Sequence, residues 1–258
     1  MSEALNQTPE IDVDERIDSI PGTDFSLIQK IDGTAFSIDT ILLAEFVQFS
    51  PEMTNAADLG SGSGILAFLL KYRNPGLQVT GFELQKEFAE LARRNLFMNS
   101  QFSDMFFEEM DIRDIPSRIL PESYDLIVSN PPYFKVGCGR ISPKSSRATA
   151  RHELNGTVKD FVETASYMLS YGGRFCIIIP TARHDEVCGY LEKSNFGLKR
   201  RRFLIPKESE NSHLVMLEGE KFYGGDVEDL SSITIHKADN SFTDELKNLF
   251  SAGLKVYS

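Results

Sequence analysis

Two short stretches of this chain combine residue types that serve packing poorly and suit the holding of a small ligand. The first is Asp58-Leu59-Gly60-Ser61-Gly62-Ser63-Gly64, placed where an apolar strand-like run gives way to a helical one. Glycines at such a junction reach positive φ and let a ligand approach the backbone closely. The helix N-terminus that follows presents free N–H donors and the positive end of its dipole, which suits an anionic group. The dinucleotide pattern GxGxxG fails, because Ile65 stands at its sixth position, and a dehydrogenase is disfavoured. Two acids follow at successive strand ends. Glu83, nineteen residues beyond Gly64, sits where a carboxylate can accept hydrogen bonds from two ribose hydroxyls, and Asp111 follows the third strand on the same ligand-binding edge.

The second stretch is Asp125-Leu126-Ile127-Val128-Ser129-Asn130-Pro131-Pro132-Tyr133. Together the two stretches carry a resemblance. The DxGxGxG form resembles motif I of the class I methyltransferases, and the second stretch resembles the N-Pro-Pro-Tyr methyltransferases, which act on amino groups conjugated to a ring or carbonyl. The resemblance covers about residues 25–221. Phe36-Ser37-Ile38-Asp39-Thr40-Ile41-Leu42-Leu43 and Ala150-Arg151-His152-Glu153 make the sequence most similar to the bacterial tRNA1(Val) adenine-37 N6-methyltransferases. It implies a Rossmann-like α/β fold with a mostly parallel seven-stranded sheet and a C-terminal antiparallel hairpin. It also implies S-adenosylmethionine as cofactor, contacted by Asp39, Asp58, Gly60, Ser61, Gly62, Gly64, Glu83, Asp111 and Asn130, and a catalytic set of Asn130, Pro131, Pro132 and Tyr133.

The chemistry accounts for these residue types. An exocyclic amino lone pair is delocalised into its ring and is a poor nucleophile. The Asn130 side-chain oxygen and the Pro131 carbonyl can accept both amino hydrogens and draw the nitrogen toward a tetrahedral, nucleophilic state. Pro131 and Pro132 stiffen the backbone so that the geometry is built beforehand, and Tyr133 offers a flat face on which a flipped base can stack. No catalytic triad or metal cluster is needed, and no metal is expected.

The elements that must position these residues alternate strand and helix. The pattern predicts strands at 55–59, 78–84, 105–110, 124–129 and 174–179 and helices at 65–72, 85–98, 157–169 and 181–194, hence a parallel sheet with crossover helices. Two closing strands near 196–205 and 213–218, with no helix between them, predict an antiparallel hairpin. Upstream, alternation on both sides of Asp32-Gly33 predicts a hairpin over residues 25–38, and Asp39 or Thr40 is expected to cap an apolar helix at 41–49 that Pro51 ends. Three regions result: an acidic mobile tail (1–24), the methyltransferase domain (25–225) and an acidic extension (226–258) with a strand at 233–236 and a helix at 242–249.

Composition bounds the partners. The chain carries −11 overall, which argues against a nucleic-acid partner, yet residues 1–24 hold seven acids and one Arg and contribute −6 of it. Lys135, Arg140, Lys144, Arg147 and Arg151 follow Tyr133 with no acid from 135 to 151, which predicts a loop that grips RNA phosphates. Strand alternation puts the members of a second cluster, Lys199-Arg200-Arg201-Arg202, on opposite faces. His152 beside Glu153 is expected to orient rather than catalyse, and Cys138 has no partner that would make it a nucleophile. Three cysteines without a CxxC pair fit a reduced compartment and no zinc site. Without a basic N-terminal region or a long apolar run, a soluble, cytoplasmic, monomeric enzyme with a tRNA substrate and no membrane association is expected. Methylation of a protein glutamine amide or of guanine N2 in ribosomal RNA uses the same planar NH2 and stands as an alternative, as does an idle RNA-binding module on the same fold.

Overall fold

The computed structural model describes residues 11–31, 37–102, 104–131 and 156–257. Eight of the strands form one sheet: β3 (Asn55–Leu59), β4 (Gln78–Glu83), β5 (Met105–Glu109), β6 (Tyr124–Ser129), β7 (Leu169–Pro180), β8 (Phe196–Lys207), β9 (Leu214–Lys221) and β10 (Glu228–His236). Their order is β10-β8-β9-β7-β6-β3-β4-β5. The pairs from β7 through β6, β3 and β4 to β5 are all parallel, while β9 runs antiparallel between β7 and β8. The expected α/β architecture and closing hairpin are present. The strand count differs: β10 pairs in parallel with β8, so the C-terminal extension adds an eighth strand to the sheet.

Alternate strand residues feed two apolar layers, as a sheet covered on both faces requires. Ala56, Val79, Leu126, Val128, Cys176 and Met216 face α1 (Ile38–Phe46), α2 (Ile65–Arg73), α3 (Lys86–Met98) and α7 (Asp244–Ala252). Ala57, Leu59, Phe82, Ile127, Phe175 and Leu217 face α4 (Ile115–Arg118), α5 (Val158–Met168) and α6 (His184–Lys193). α5 shows how local sequence sets a boundary. Thr157 accepts from the Asp160 N–H while the Asp160 carboxylate accepts from the Thr157 N–H, a reciprocal cap that satisfies two orphan donors.

Four local expectations are corrected. The N-terminal hairpin joins β1 (Glu15–Ser19) to β2 (Ser26–Lys30), so β2 pairs backward, and a strand stands within residues 1–24 where none was expected. Asp32 and Gly33 lie outside the described residues. α1 begins three residues earlier than expected, with Ser37 as N-cap, because Asp39 and Thr40 fit the first helical turn. It also ends before Pro51, since Arg73 donates to the Ala44 and Val47 carbonyls and Arg200 to that of Phe46. Finally, Gly172-Gly173 does not end α5; β7 follows that helix directly, and the glycines lie where its register with β6 shifts between Leu169 and Arg174.

The last residues close back on α1. Lys255 donates its N–H to Glu45, Arg73 donates to the Lys255 carbonyl, and Leu254 donates its N–H to the Gly22 carbonyl. Among the described residues no helix is long and apolar enough to cross a membrane.

Candidate active site

The strand order reverses between β3 and β6: β4 and β5 lie to one side, β7 and β9 to the other. In open α/β sheets ligands bind beyond the carboxyl ends of the strands at such a switch point, and the two motif stretches meet there. Asp58-to-Gly64 leaves the end of β3, and Asn130 and Pro131 leave the end of β6. Ser129, fully buried, donates its hydroxyl to the Leu59 carbonyl at 2.8 Å, which locks the two strand ends side by side.

The glycine loop is built as expected. Gly60, Gly62 and Gly64 all have positive φ. At Gly64 a Cβ would come within 2.7 Å of the Phe107 ring, so only glycine lets α2 start against that aromatic. At Gly62 a Cβ would meet nothing within 4 Å among the described residues, which suits a loop that a ligand approaches. The loop is pinned from beneath: the N–H groups of Gly60 and Ser61 donate to the Phe82 carbonyl at 2.8 and 3.1 Å.

Glu83 lies at the end of β4, buried, with one carboxylate oxygen accepting from the Gly62 N–H at 2.9 Å and the other from the Gln85 N–H at 2.8 Å. It thus holds the loop in addition to any ligand. Asp58 is 1% exposed and accepts from the Ala67 N–H in the first turn of α2; its Oδ2, like the buried Ser61 hydroxyl, has no hydrogen-bond partner among the described residues. Burial, with the Glu83 charge adding to it, pushes the Asp58 carboxyl up to about 8. Burial likewise raises Glu83 and Asp39 above the ordinary carboxylate range. Asp58 and Glu83, two desolvated acids beside an open loop, suit a ligand that brings positive charge and donors.

Asp111 follows β5 as expected, but its carboxylate turns onto Arg113, with contacts of 2.5–3.1 Å, and it accepts the Arg113 N–H. That guanidinium holds its carboxyl below the usual range. Asn130 donates its Nδ2 to the Thr40 hydroxyl of α1 at 2.8 Å. Pro132, Tyr133, Lys135, Cys138, Arg140, Lys144, Arg147, Arg151, His152 and Glu153 lie outside the described residues. The second basic cluster is committed to structure: Lys199 pairs with Glu220, Arg200 with Glu218, Arg201 with Asp229, and Arg202 donates to the Ser231 carbonyl.

Sequence reasoning missed three residues of this site. Thr40 drew notice only as a helix cap. Asn95, fully buried on α3, donates to the Ser63 and Ile28 carbonyls and accepts the Ile28 N–H, while Gln29 donates to the Ser63 hydroxyl at 3.0 Å. Together these two fasten the N-terminal hairpin to the glycine loop. An amide at a core position of an amphipathic helix was the one local signal, since buried polar groups need partners.

Fold and site define a Rossmann-like methyltransferase, a class whose methyl donor is S-adenosylmethionine. The chain belongs to the methyltransferase small domain family, whose model matches residues 33–197. It is similar to an enzyme of Erwinia tasmaniensis named tRNA1(Val) (adenine(37)-N6)-methyltransferase, 27% identical over 80% of this chain and 82% of the relative. An enzyme of the same name from a Flavobacteriaceae bacterium is 32% identical over 63% of this chain and 67% of the relative. Among solved structures, a predicted O-methyltransferase of Agrobacterium tumefaciens matches with a TM-score of 0.67 at 20% identity, covering 84% of this chain and 97% of that one. That likeness speaks for the fold alone.

Proposed function

We propose that the chain methylates N6 of an adenine in tRNA, with adenine 37 of tRNA1(Val) as the target that its relatives' names suggest. The observation that carries the reading is the place of Asn130 and Pro131, at the end of β6 and tied through Ser129 to the glycine-loop strand. S-adenosylmethionine, when bound, supplies a methyl group made electrophilic by the sulfonium. Gly60, Ser61, Gly62 and Gly64 fit its methionine end, Asp39, Asp58 and Glu83 its positive charge and ribose, and Asp111 its adenine. Asp58 Oδ2 and the Ser61 hydroxyl, both buried without partners among the described residues, support that fit.

In this reading the Asn130 amide oxygen and the Pro131 carbonyl accept the two amino hydrogens. The acceptor nitrogen would thereby be held in line with the methyl group, its new bond forming as the donor's sulfur–methyl bond breaks to leave a neutral thioether and its surplus proton passing to water, and alignment does most of the work. Pro132 and Tyr133 complete the shelf for the flipped base, and Lys135, Arg140, Lys144, Arg147 and Arg151 hold phosphates around it. The relatives' names favour tRNA over a protein amide or ribosomal guanine. To test the reading, the protein is incubated with labelled S-adenosylmethionine and bulk tRNA, and the nucleosides are identified by mass spectrometry. Label in N6-methyladenosine is the expected result; label in N2-methylguanosine, or in protein glutamine and not in RNA, overturns it.

A further inference from the structure

The hold of the N-terminal hairpin on the glycine loop carries an inference beyond that reading, and it rests on the loop's proposed role in cofactor binding. Two sets of bonds fix the loop. One comes from β4, through the Phe82 carbonyl and the Glu83 carboxylate. The other comes from α3 and β2. Asn95 Nδ2 donates to the Ser63 carbonyl at 3.0 Å and to the Ile28 carbonyl at 3.1 Å, while its Oδ1 accepts the Ile28 N–H. A carbonyl can only accept and a backbone N–H can only donate, so these three partners settle the orientation of the amide. One fully buried side chain thus joins the middle of β2 to the loop. Gln29, the next residue on β2 and 1% exposed, reaches the Ser63 hydroxyl at 3.0 Å.

The hairpin has further anchors on α3 and at its end. Arg94 donates to the Glu15 carboxylate of β1 at 2.9 and 2.8 Å, and Asn99 donates to the Ser26 carbonyl of β2 at 2.9 Å. Leu27 and Ile28 between them are fully buried. Asn95 is satisfied only when hairpin and loop are both in place. If either departs, a buried amide loses partners, which is costly. Whatever steadies the loop therefore steadies the hairpin, and the coupling has the same size in both directions. A loop ordered before its ligand arrives also spares the ligand the cost of ordering it. We infer that the N-terminal hairpin is a positioning element for cofactor binding: through Asn95 and Gln29 it holds Ser63, and with it the glycine loop, in the binding-ready form, and S-adenosylmethionine in turn holds the hairpin on α3.

Hydrogen exchange on the unaltered full chain tests this directly. The Ile28 amide, bonded to Asn95 Oδ1, reports on the hairpin, and amides of β10, at the sheet edge away from β4, report on the rest of the fold. Saturating S-adenosylmethionine is expected to slow exchange at Ile28 at least about fivefold more than at β10. Gln29→Met, which fills similar space without the polar end, is then titrated with S-adenosylmethionine by calorimetry. Its affinity should be about fivefold lower, the scale of one hydrogen bond, with exchange at β10 as in the parent and a smaller protection of Ile28 by the cofactor. Equal slowing of Ile28 and β10 in the parent overturns the inference, as does parental affinity in Gln29→Met. Should that variant fail to fold, the exchange measured on the unaltered chain decides. If the unaltered chain binds no S-adenosylmethionine, the reading of the glycine loop fails and this inference with it; if it binds without preferential protection of Ile28, only the role of the hairpin fails.

Discussion

Buried acids in two parts of the sheet are treated differently by the sequence. On β9, beneath the C-terminal end of α1, Glu218 is fully buried and is met by Arg200, which also donates to the Phe46 carbonyl, with Arg174 3.8 Å away. On β3 and β4, Asp58 and Glu83 are also buried but, among the described residues, are met by backbone N–H groups and the Gln85 side chain and by no cation. Glu218 is compensated in charge within the protein, although its Oε1 makes no hydrogen bond among the described residues. Asp58 and Glu83 have no such cation beside them, and burial pushes their carboxyls up. In the proposed reading the acids without a cation are where a cationic cofactor contributes what the fold withholds, and the acid met by two guanidinium groups is structural.

The comparison can be broken at either end. Glu218→Gln leaves Arg200 buried without its counter-ion, and removal of one member of such a pair costs about 3–5 kcal/mol. Urea denaturation should show that loss, while calorimetry should show cofactor affinity in the surviving folded protein unaltered. A variant that folds normally and fails to bind cofactor would reverse the roles assigned to the two groups.

The opposite effect is expected from Asp58→Asn. The Asp58 carboxyl ionises near 8 when folded and near 3.8 in its unperturbed state. Between those values the folded chain holds a proton that the unfolded chain lacks, so this group makes stability fall as pH rises from about 4 to about 8, and it adds no further slope above that. Asp58→Asn removes the slope. Without ligand the variant should melt higher than the parent at pH 8, and the advantage should shrink toward pH 4. Melting curves over that range check it, and parallel pH dependence in both proteins would mean that Asp58 is not the strained acid of the site.

Much of this was legible in the sequence. The glycine loop, Glu83 and Asn130 are read locally, because a strand end followed by a glycine turn or an Asn-Pro pair has its meaning within a few residues. The strands β3 to β6 and helices α2, α3 and α5 came through for the same reason: their apolar periods are strong and unbroken. What failed depended on distant partners. β1 reads as polar, yet its Glu15 is buried because Lys30 and Arg94 meet it, and Arg94 lies on α3. The strand expected at 233–236 is the last part of β10; its place in the sheet, set by the ladder it joins on β8, was what the sequence did not show. Asp111 was placed correctly, but its grip on Arg113 was not foreseen, and Thr40 gave no sign of a partner ninety positions away.

The most direct test of the account is the Asn130→Ala variant, assayed on tRNA beside the unaltered protein with cofactor affinity measured on the same preparations. The account places Asn130 at the acceptor nitrogen, where its bond strengthens toward the transition state. Turnover should therefore fall about a hundredfold to a thousandfold, the effect of losing one preorganised polar partner, while the dissociation constant for S-adenosylmethionine stays within about twofold, less than half a kcal/mol. Turnover preserved in Asn130→Ala, or a fall matched by an equal loss of cofactor affinity, would contradict the account.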